Sequence, residues 1–260
     1  MTNDPNNGVS GSDQGRYSPH PGVASERQRL KRFYREVGIE RRGDGYAVVL
    51  DGRTVRTPAR RELALPTEAL ADAVASEWRA QDEFIEPAGM PLTRIVNSGL
   101  DGVTGREAAV RADVVKYASS DLLCYAAEGP AELAKRQATA WGPIHRWAAE
   151  ALGIALKQAA GVMPVEQDAE TLAVVAAELE RFEALPLAAM HVMTTLTGSA
   201  LLMLAVVYGR ITAADAWGLA HIDEDYQIEQ WGEDREAADL RAARWREMEA
   251  AAMTLSLSKS

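Results

Sequence analysis

The chain has one cysteine, three phenylalanines and four histidines in 260 residues, and each shortage removes a class of function. Cys124 alone can neither close an intrachain disulfide nor supply a thiolate metal cluster. It sits in the apolar run Asp121-Leu122-Leu123-Cys124-Tyr125 and reads as a buried small hydrophobe in a reducing compartment. No GxxxxGK[ST] phosphate loop, no GxGxxG following a strand and no GxSxG elbow occurs, so the familiar nucleotide and acyl-transfer kits are missing. Cations are also scarce: 28 Lys and Arg face 38 Asp and Glu, for a net charge of −10. That balance supplies no basic face for phosphates and argues against a nucleic-acid partner. Residues 1–28 lack an apolar h-region, are rich in Asn, Asp, Ser, Gly and Pro, and are expected to be a disordered tail. With Asp4 and Asp13 they match neither a secretory signal nor a transit peptide.

Charge itself is missing from residues 184–209, 26 positions without one Asp, Glu, Lys or Arg. In a chain that is 25% charged, such a gap means burial. Residues 187–208 would make a helix of roughly 33 Å, enough to cross a bilayer or thread a core. His191, Thr194, Thr195 and Gly198 form a small polar stripe, while Leu196, Ala200, Met203 and Val207 line another face. Only Arg210 follows, without a cationic cluster or paired aromatic belts, which favours a buried rod over stable membrane insertion.

What is present divides in two. Residues 33–41, 46–51 and 53–57 read as short strands, the last two joined by Asp51-Gly52, a strong hairpin signal. Val48 and Leu50 alternate with outward positions, and residues 63–65 can add a strand. Thr67 is an N-cap for a covering helix, and another helical stretch runs from Met90-Pro91 to Leu100, broken by Asp101-Gly102. Beyond that everything reads helical. Thr104 with Glu107, and Thr212 with Asp215, have capping-box spacing; Pro130 opens a helix through Trp141 and Trp147 to Leu152; residues 167–184 are amphipathic; and a last long segment bends near Gly232. The expected fold is α+β: a small β-rich N-terminal domain with one covering helix (29–95), a larger multi-helical domain (96–252) and a polar tail (253–260).

Few residues suggest chemistry. His221 with Glu224 and Asp225 could place a nitrogen and carboxylates over one metal ion, with His191 and His145 as the remaining donors; the plainer reading is a half-buried helix histidine. Glu224 is the odd residue. Trp217, Ala220, Glu224, Ile228 and Trp231 share one helical face, and a carboxylate there must be paired or wet. Two readings stay open: a buried ion pair with Arg94 or Arg111, or an open apolar groove that receives a partner's Arg or Lys. Six Trp residues serve either cores or interface anchors.

Seven strings in order then become recognisable. They are Arg32-Phe33-Tyr34; Asp51-Gly52-Arg53-Thr54-Val55-Arg56-Thr57-Pro58; Glu77-Trp78-x-x-Gln81 with Ile85-x-Pro87; Met90-Pro91-Leu92-Thr93; Asp121-Leu122-Leu123-x-Tyr125; Gln137-x-x-x-Trp141-x-Pro143; and Glu224-x-Tyr226-Gln227-x-x-x-x-Trp231-Gly232. Over about residues 30–250 the chain resembles the ATP synthase assembly chaperones that act on the α subunit of the catalytic, F-one sector, of mitochondrial and alphaproteobacterial type. The resemblance implies a non-enzymatic protein without cofactor or metal. It would bind free α subunit and shield its interface with the β subunit, in the bacterial cytoplasm or the mitochondrial matrix, and be monomeric when free. Glu224, Tyr226, Gln227 and Trp231 become the expected client-facing residues; Trp78, Gln81, Arg53, Arg56 and Met90 are weaker candidates at the domain junction or client face. The competing expectation is a metal-dependent or small-molecule enzyme using His221, Glu224 and His191.

Overall fold

The computed structural model describes residues 30–161 and 163–259; the expected N-terminal tail and His20 lie outside them. The chain first forms an antiparallel meander of β1 (Val37–Arg42), β2 (Gly45–Leu50), β3 (Arg53–Thr54) and β4 (Ala64–Leu65). The order is β1-β2-β3, with β4 also paired to β2. Asp51 and Gly52 both take positive φ, 48° and 76°, which sets the tight turn and pairs Leu50 with Arg53. The Asp51 carboxylate accepts the backbone N–H groups of Glu36 (2.8 Å) and Arg35 (3.1 Å), and these bonds hold it below the usual carboxylate range. The expected alternation along β2 fails, because Ala47, Val48, Val49 and Leu50 are all buried. A strand flanked by β1 on one side and by β3 and β4 on the other leaves little surface open.

Helix α1 (Glu68–Arg79) covers the sheet with Leu70, Ala71, Val74 and Ala75. Thr67 caps it by accepting the Leu70 N–H at 3.2 Å. Helix α2 (Pro91–Asn97) runs on without interruption into a wider turn, Ser98–Val103. Asp101-Gly102 therefore does not stop it; the Asp101 carboxylate instead accepts from Thr57 Oγ1 (2.8 Å) and Ala59 N–H (2.9 Å). Helix α3 (Glu107–Ser119) begins after Arg106, so the box expected from Thr104 and Glu107 does not form. Gly105, at φ 80°, turns the chain between them; Thr104 donates back to Gly99 O, while Glu107 catches the Gly105 N–H at 3.0 Å.

Strand β5 (Tyr125–Ala126) precedes α4 (Ala131–Trp147), which continues through Ala148–Leu152 to a left-handed Gly153. Strand β6 (Ala159–Ala160) then pairs parallel with β5. Helices α5 (Ala169–Leu179), α6 (Ala184–Thr197), α7 (Ala200–Val207), α8 (Ala213–Ala220), α9 (Ile222–Trp231) and α10 (Arg235–Leu257) complete the fold. The Thr212–Asp215 capping box is present, with the Thr212 N–H and hydroxyl donating to Asp215 and the Asp215 N–H donating to Thr212.

The expected single rod is two helices. Gly198 ends α6 in the left-handed conformation (φ 66°) and Ser199 opens α7, accepting the Leu202 N–H at 3.0 Å. Asp121, fully buried, fastens the break: its carboxylate accepts the Leu123 N–H (3.1 Å) and the Leu201 N–H (3.0 Å), and the Leu122 N–H donates to Gly198 O. Among the described residues no helix is long and apolar enough to cross a membrane. Nor are residues 253–257 a polar tail. They form the last turn of α10, with Thr254 and Leu255 buried and the Leu257 carbonyl accepting from the Thr67 hydroxyl. One hydrophobic cluster runs from Tyr34 and the sheet through α1 and α2 to α6, α7 and α10.

Candidate functional site

Helix α9 is held from below and left open above. On its inner side Glu229 receives both of its contacts, at 2.8 and 2.6 Å, from Arg136 of α4, which also binds Glu132 and lies 5.3 Å over the Tyr226 ring. Asp223 accepts from the fully buried Gln137, and the Trp141 indole N–H donates to Leu219 O at 2.9 Å. The sequence strings containing Gln137, Trp141 and Tyr226 are therefore one fastening between α4 and the α8–α9 pair. Arg241 of α10 closes on Asp225 at 2.6 Å.

The opposite side of α9 forms a cleft of about 390 Å³ against α10, lined by Glu224, Gln227, Ile228, Trp231, Leu240 and Arg244 among others. Its apolar parts face solvent: Trp231 is 79% exposed and Leu240 54%. Exposed large apolar groups clustered at a concavity mark a docking surface far better than single ones do. At its rim the Glu224 side chain is 56% exposed, and among the described residues its one charged-group contact is His221 Nε2 at 3.9 Å.

The proposed buried pair is excluded. Arg94 binds Glu247 at 3.0 Å, and Arg111 donates to the carbonyls of Leu179 and Phe182. The shared face of Trp217, Ala220, Glu224, Ile228 and Trp231 is interrupted, because α8 ends at His221 and only the α9 members reach the cleft. Trp217 is buried instead, its ring 4.0 Å from that of His221 and 5.6 Å from that of Trp245. Tyr226 is buried beneath Arg136 and supports the cleft rather than lining it.

The histidines have separate partners. His221 Nδ1 lies 2.7 Å from Trp217 O, His191 Nε2 2.7 Å from Asp113, and His145 Nε2 2.8 Å from Leu123 O. Among the described residues no three His, Cys, Asp or Glu side chains are grouped to hold a metal ion. Among the described residues that line the cleft, no nucleophile is paired to a base.

Comparison with known proteins agrees. The family profile described as ATP12 chaperone protein matches residues 31–149. The crystal structure of Atp12 from Paracoccus denitrificans is 43% identical with a TM-score of 0.82, covering 88% of this chain and 99% of that one. The chain belongs to the ATP12 chaperone family. The Atu1473 protein of Agrobacterium tumefaciens is 44% identical with a TM-score of 0.85, over 88% of this chain and 86% of that one. Protein atp12, mitochondrial, of Schizosaccharomyces pombe is 22% identical over 223 residues, 81% of this chain and 77% of that protein. The protein is thus an ATP synthase assembly chaperone and not an enzyme, and its α+β fold is that of the family.

The weaker candidates fall elsewhere. Trp78 is turned inward, its ring 5.8 Å from that of Tyr34. Gln81 is tied to Glu77 O and the Glu86 N–H. Met90 is buried, whereas Arg53 and Arg56 are exposed, Arg56 donating to Arg60 O at 2.9 Å. The residue that joins α1 to α2 is Glu77, which lay within a quoted string without being singled out. Its carboxylate accepts from the Leu92 N–H (2.7 Å), the Thr93 N–H (2.8 Å) and the Thr93 hydroxyl (2.7 Å), a cap supplied from a neighbouring helix. Burial pushes its carboxyl above the usual range against the pull of those bonds. Pro91 signals a helix start whose next N–H groups need acceptors, but nothing local in the sequence points to Glu77, 14 positions earlier, as their source.

Proposed function

We propose that the protein binds the free α subunit of the ATP synthase catalytic sector in the α9–α10 cleft, and covers its interface until the β subunit replaces the chaperone. The observation that carries this reading is the cleft itself, where exposed Trp231 and Leu240 lie beside a Glu224 carboxylate that no Arg or Lys neutralises among the described residues. An unassembled ring subunit exposes apolar surface prone to self-association. Trp231 and Leu240 cover such surface, while Glu224 selects a segment carrying an Arg or Lys beside its nonpolar anchor. A cleft this small holds its client firmly enough to protect it and loosely enough to be displaced. The chaperone acts as a monomer, in the bacterial cytoplasm or, in a eukaryotic source, the mitochondrial matrix.

The test is Glu224→Lys. An exposed side chain can be reversed without unfolding the protein, so the melting temperature stays within a few degrees of the parent. Purified α subunit mixed with this variant should aggregate as it does alone. Full protection by a folded Glu224→Lys protein would remove the cleft from the account.

A further inference from the structure

The acidic balance of the chain conceals a local reversal of sign. Residues 31–61 carry nine cations and four anions, while residues 62–259 carry 16 cations and 31 anions. The segment that builds most of the β meander is therefore net positive in an otherwise acidic chain. Within it, Lys31 pairs with Phe84 in an isolated antiparallel bridge, with the Arg32 N–H donating to Glu83 O and the Ile85 N–H donating to Leu30 O, both at 2.9 Å. Tyr34 is buried and Arg32 half-buried, whereas Lys31, Phe33 and Arg35 are exposed. The Asp51 bonds to the Arg35 backbone bring the β2–β3 turn alongside, and with it Arg53.

Phe33 is 65% exposed, its ring edge-on to Tyr34 at 5.4 Å and 83°. Tyr34 in turn donates to Trp78 O at 2.7 Å and lies 4.7 Å beneath the Arg32 guanidinium. An exposed aromatic ring among arginines has the composition of an interface anchor. Anions also adjoin the strip, Glu36, Asp82 and Glu86 being exposed next to residues it contains or pairs with. Glu83 is 3.4 Å from Lys31 with both side chains mostly in water, and the Asp51 oxygens are taken by backbone N–H groups. Arg53 has no ion-pair or hydrogen-bond partner for its guanidinium among the described residues.

We propose that Lys31, Phe33, Arg35 and Arg53 form a second docking surface for the client, receiving an acidic stretch in which carboxylates flank a nonpolar side chain. The client's identity rests on the function proposed above; the chemistry of the surface does not. A cleft that selects a cation and a strip that selects anions admit the client in one orientation, since the reversed pose sets like charges together. One exposed aromatic ring among separated cations has the composition of a protein interface, not the continuous apolar face that lies in a bilayer.

The experiment compares the double variant Phe33→Ala/Arg53→Glu, the single variant Arg53→Gln and Glu224→Lys for binding to purified α subunit across a salt series. The double variant should bind about tenfold more weakly at moderate salt, and Arg53→Gln should flatten the dependence of log Kd on log salt. If the double variant misfolds by circular dichroism, the salt slope of Arg53→Gln decides alone. Unchanged affinity and slope, with Glu224→Lys impaired, overturn the second surface and leave the cleft standing. Loss through the strip with Glu224→Lys unimpaired supports the strip and removes the cleft. Parent-like binding by all three overturns both. Unchanged client affinity with lost binding to phosphatidylserine vesicles overturns the proposal in favour of a lipid surface.

Discussion

Replacing Asp121 by alanine removes a buried acceptor from the junction of α6 and α7. Two backbone donors, Leu123 N–H and Leu201 N–H, then lie buried without a partner. Each such group costs ~1–3 kcal/mol. Part of this is offset, because the native carboxylate is itself expensive to bury. A net loss of about 3 kcal/mol follows, and at ~2–4 °C per kcal/mol for a chain of this size the melting temperature falls by roughly 6–12 °C. Asp121→Asn keeps one acceptor and buries no charge, so it should cost about half as much. The two variants also separate by pH. Burial holds the native carboxyl above its ordinary value of 3.8, so the folded state binds the proton more readily than the unfolded state does. That contribution is fully present below the ordinary value and is lost as pH rises through the native one. The stability advantage of the parent over Asp121→Asn should therefore shrink from acid to neutral pH, measured by urea unfolding across a pH series. A gap that widens with pH would mean that the hydrogen bonds outweigh desolvation. An alanine cost below about 1 kcal/mol would mean that the two donors find other partners.

Other outcomes are open to direct measurement. Trp231→Ala should leave stability within about 0.5 kcal/mol, as the ring is mostly in water, while weakening α-subunit binding at least ~tenfold. Gly198→Ala should cost about 1 kcal/mol in thermal unfolding: the space exists, with Leu122 Cβ 3.7 Å from a new Cβ, but the positive φ does not suit alanine. Burial pushes the Cys124 thiol up to about 12, so a disulfide reagent at pH 8 should leave native protein unlabelled and modify it fully in denaturant.

Local chemistry was the readable part of this fold. The Asp51-Gly52 turn, the Thr67 cap on the Leu70 N–H and the Thr212–Asp215 box each join residues within a few positions, so the string alone identifies them. The division at Gly198-Ser199 was written in the same terms, a left-handed C-terminal glycine followed by an N-cap serine. The unbroken apolar run around it hid the signal, since hydrophobicity has the same period in one helix as in two collinear ones. Thr104 and Glu107 had the right spacing, but Gly105 between them redirects the chain, which spacing does not encode. Residues 253–257 alternate polar and apolar types and read as a tail, although Thr254 and Leu255 continue the buried side of α10 set by Ala250 and Ala251. Trp231 and Glu224 were legible as odd residues on one face. The second wall of their cleft, Leu240 and Arg244, depends on how α10 folds back after Gly232, and no local pattern specifies that.

The bond between Thr67 and Leu257 links positions 190 residues apart. During synthesis the first helix leaves the ribosome long before the strand of chain that completes its start, so the meander waits with one flank unfinished. A helix start completed by so distant a partner stays unfinished until that partner has been made. Shortening the chain before Leu257 would remove the acceptor of the Thr67 hydroxyl and leave the start of α1, with the sheet it covers, easier to open and to cleave.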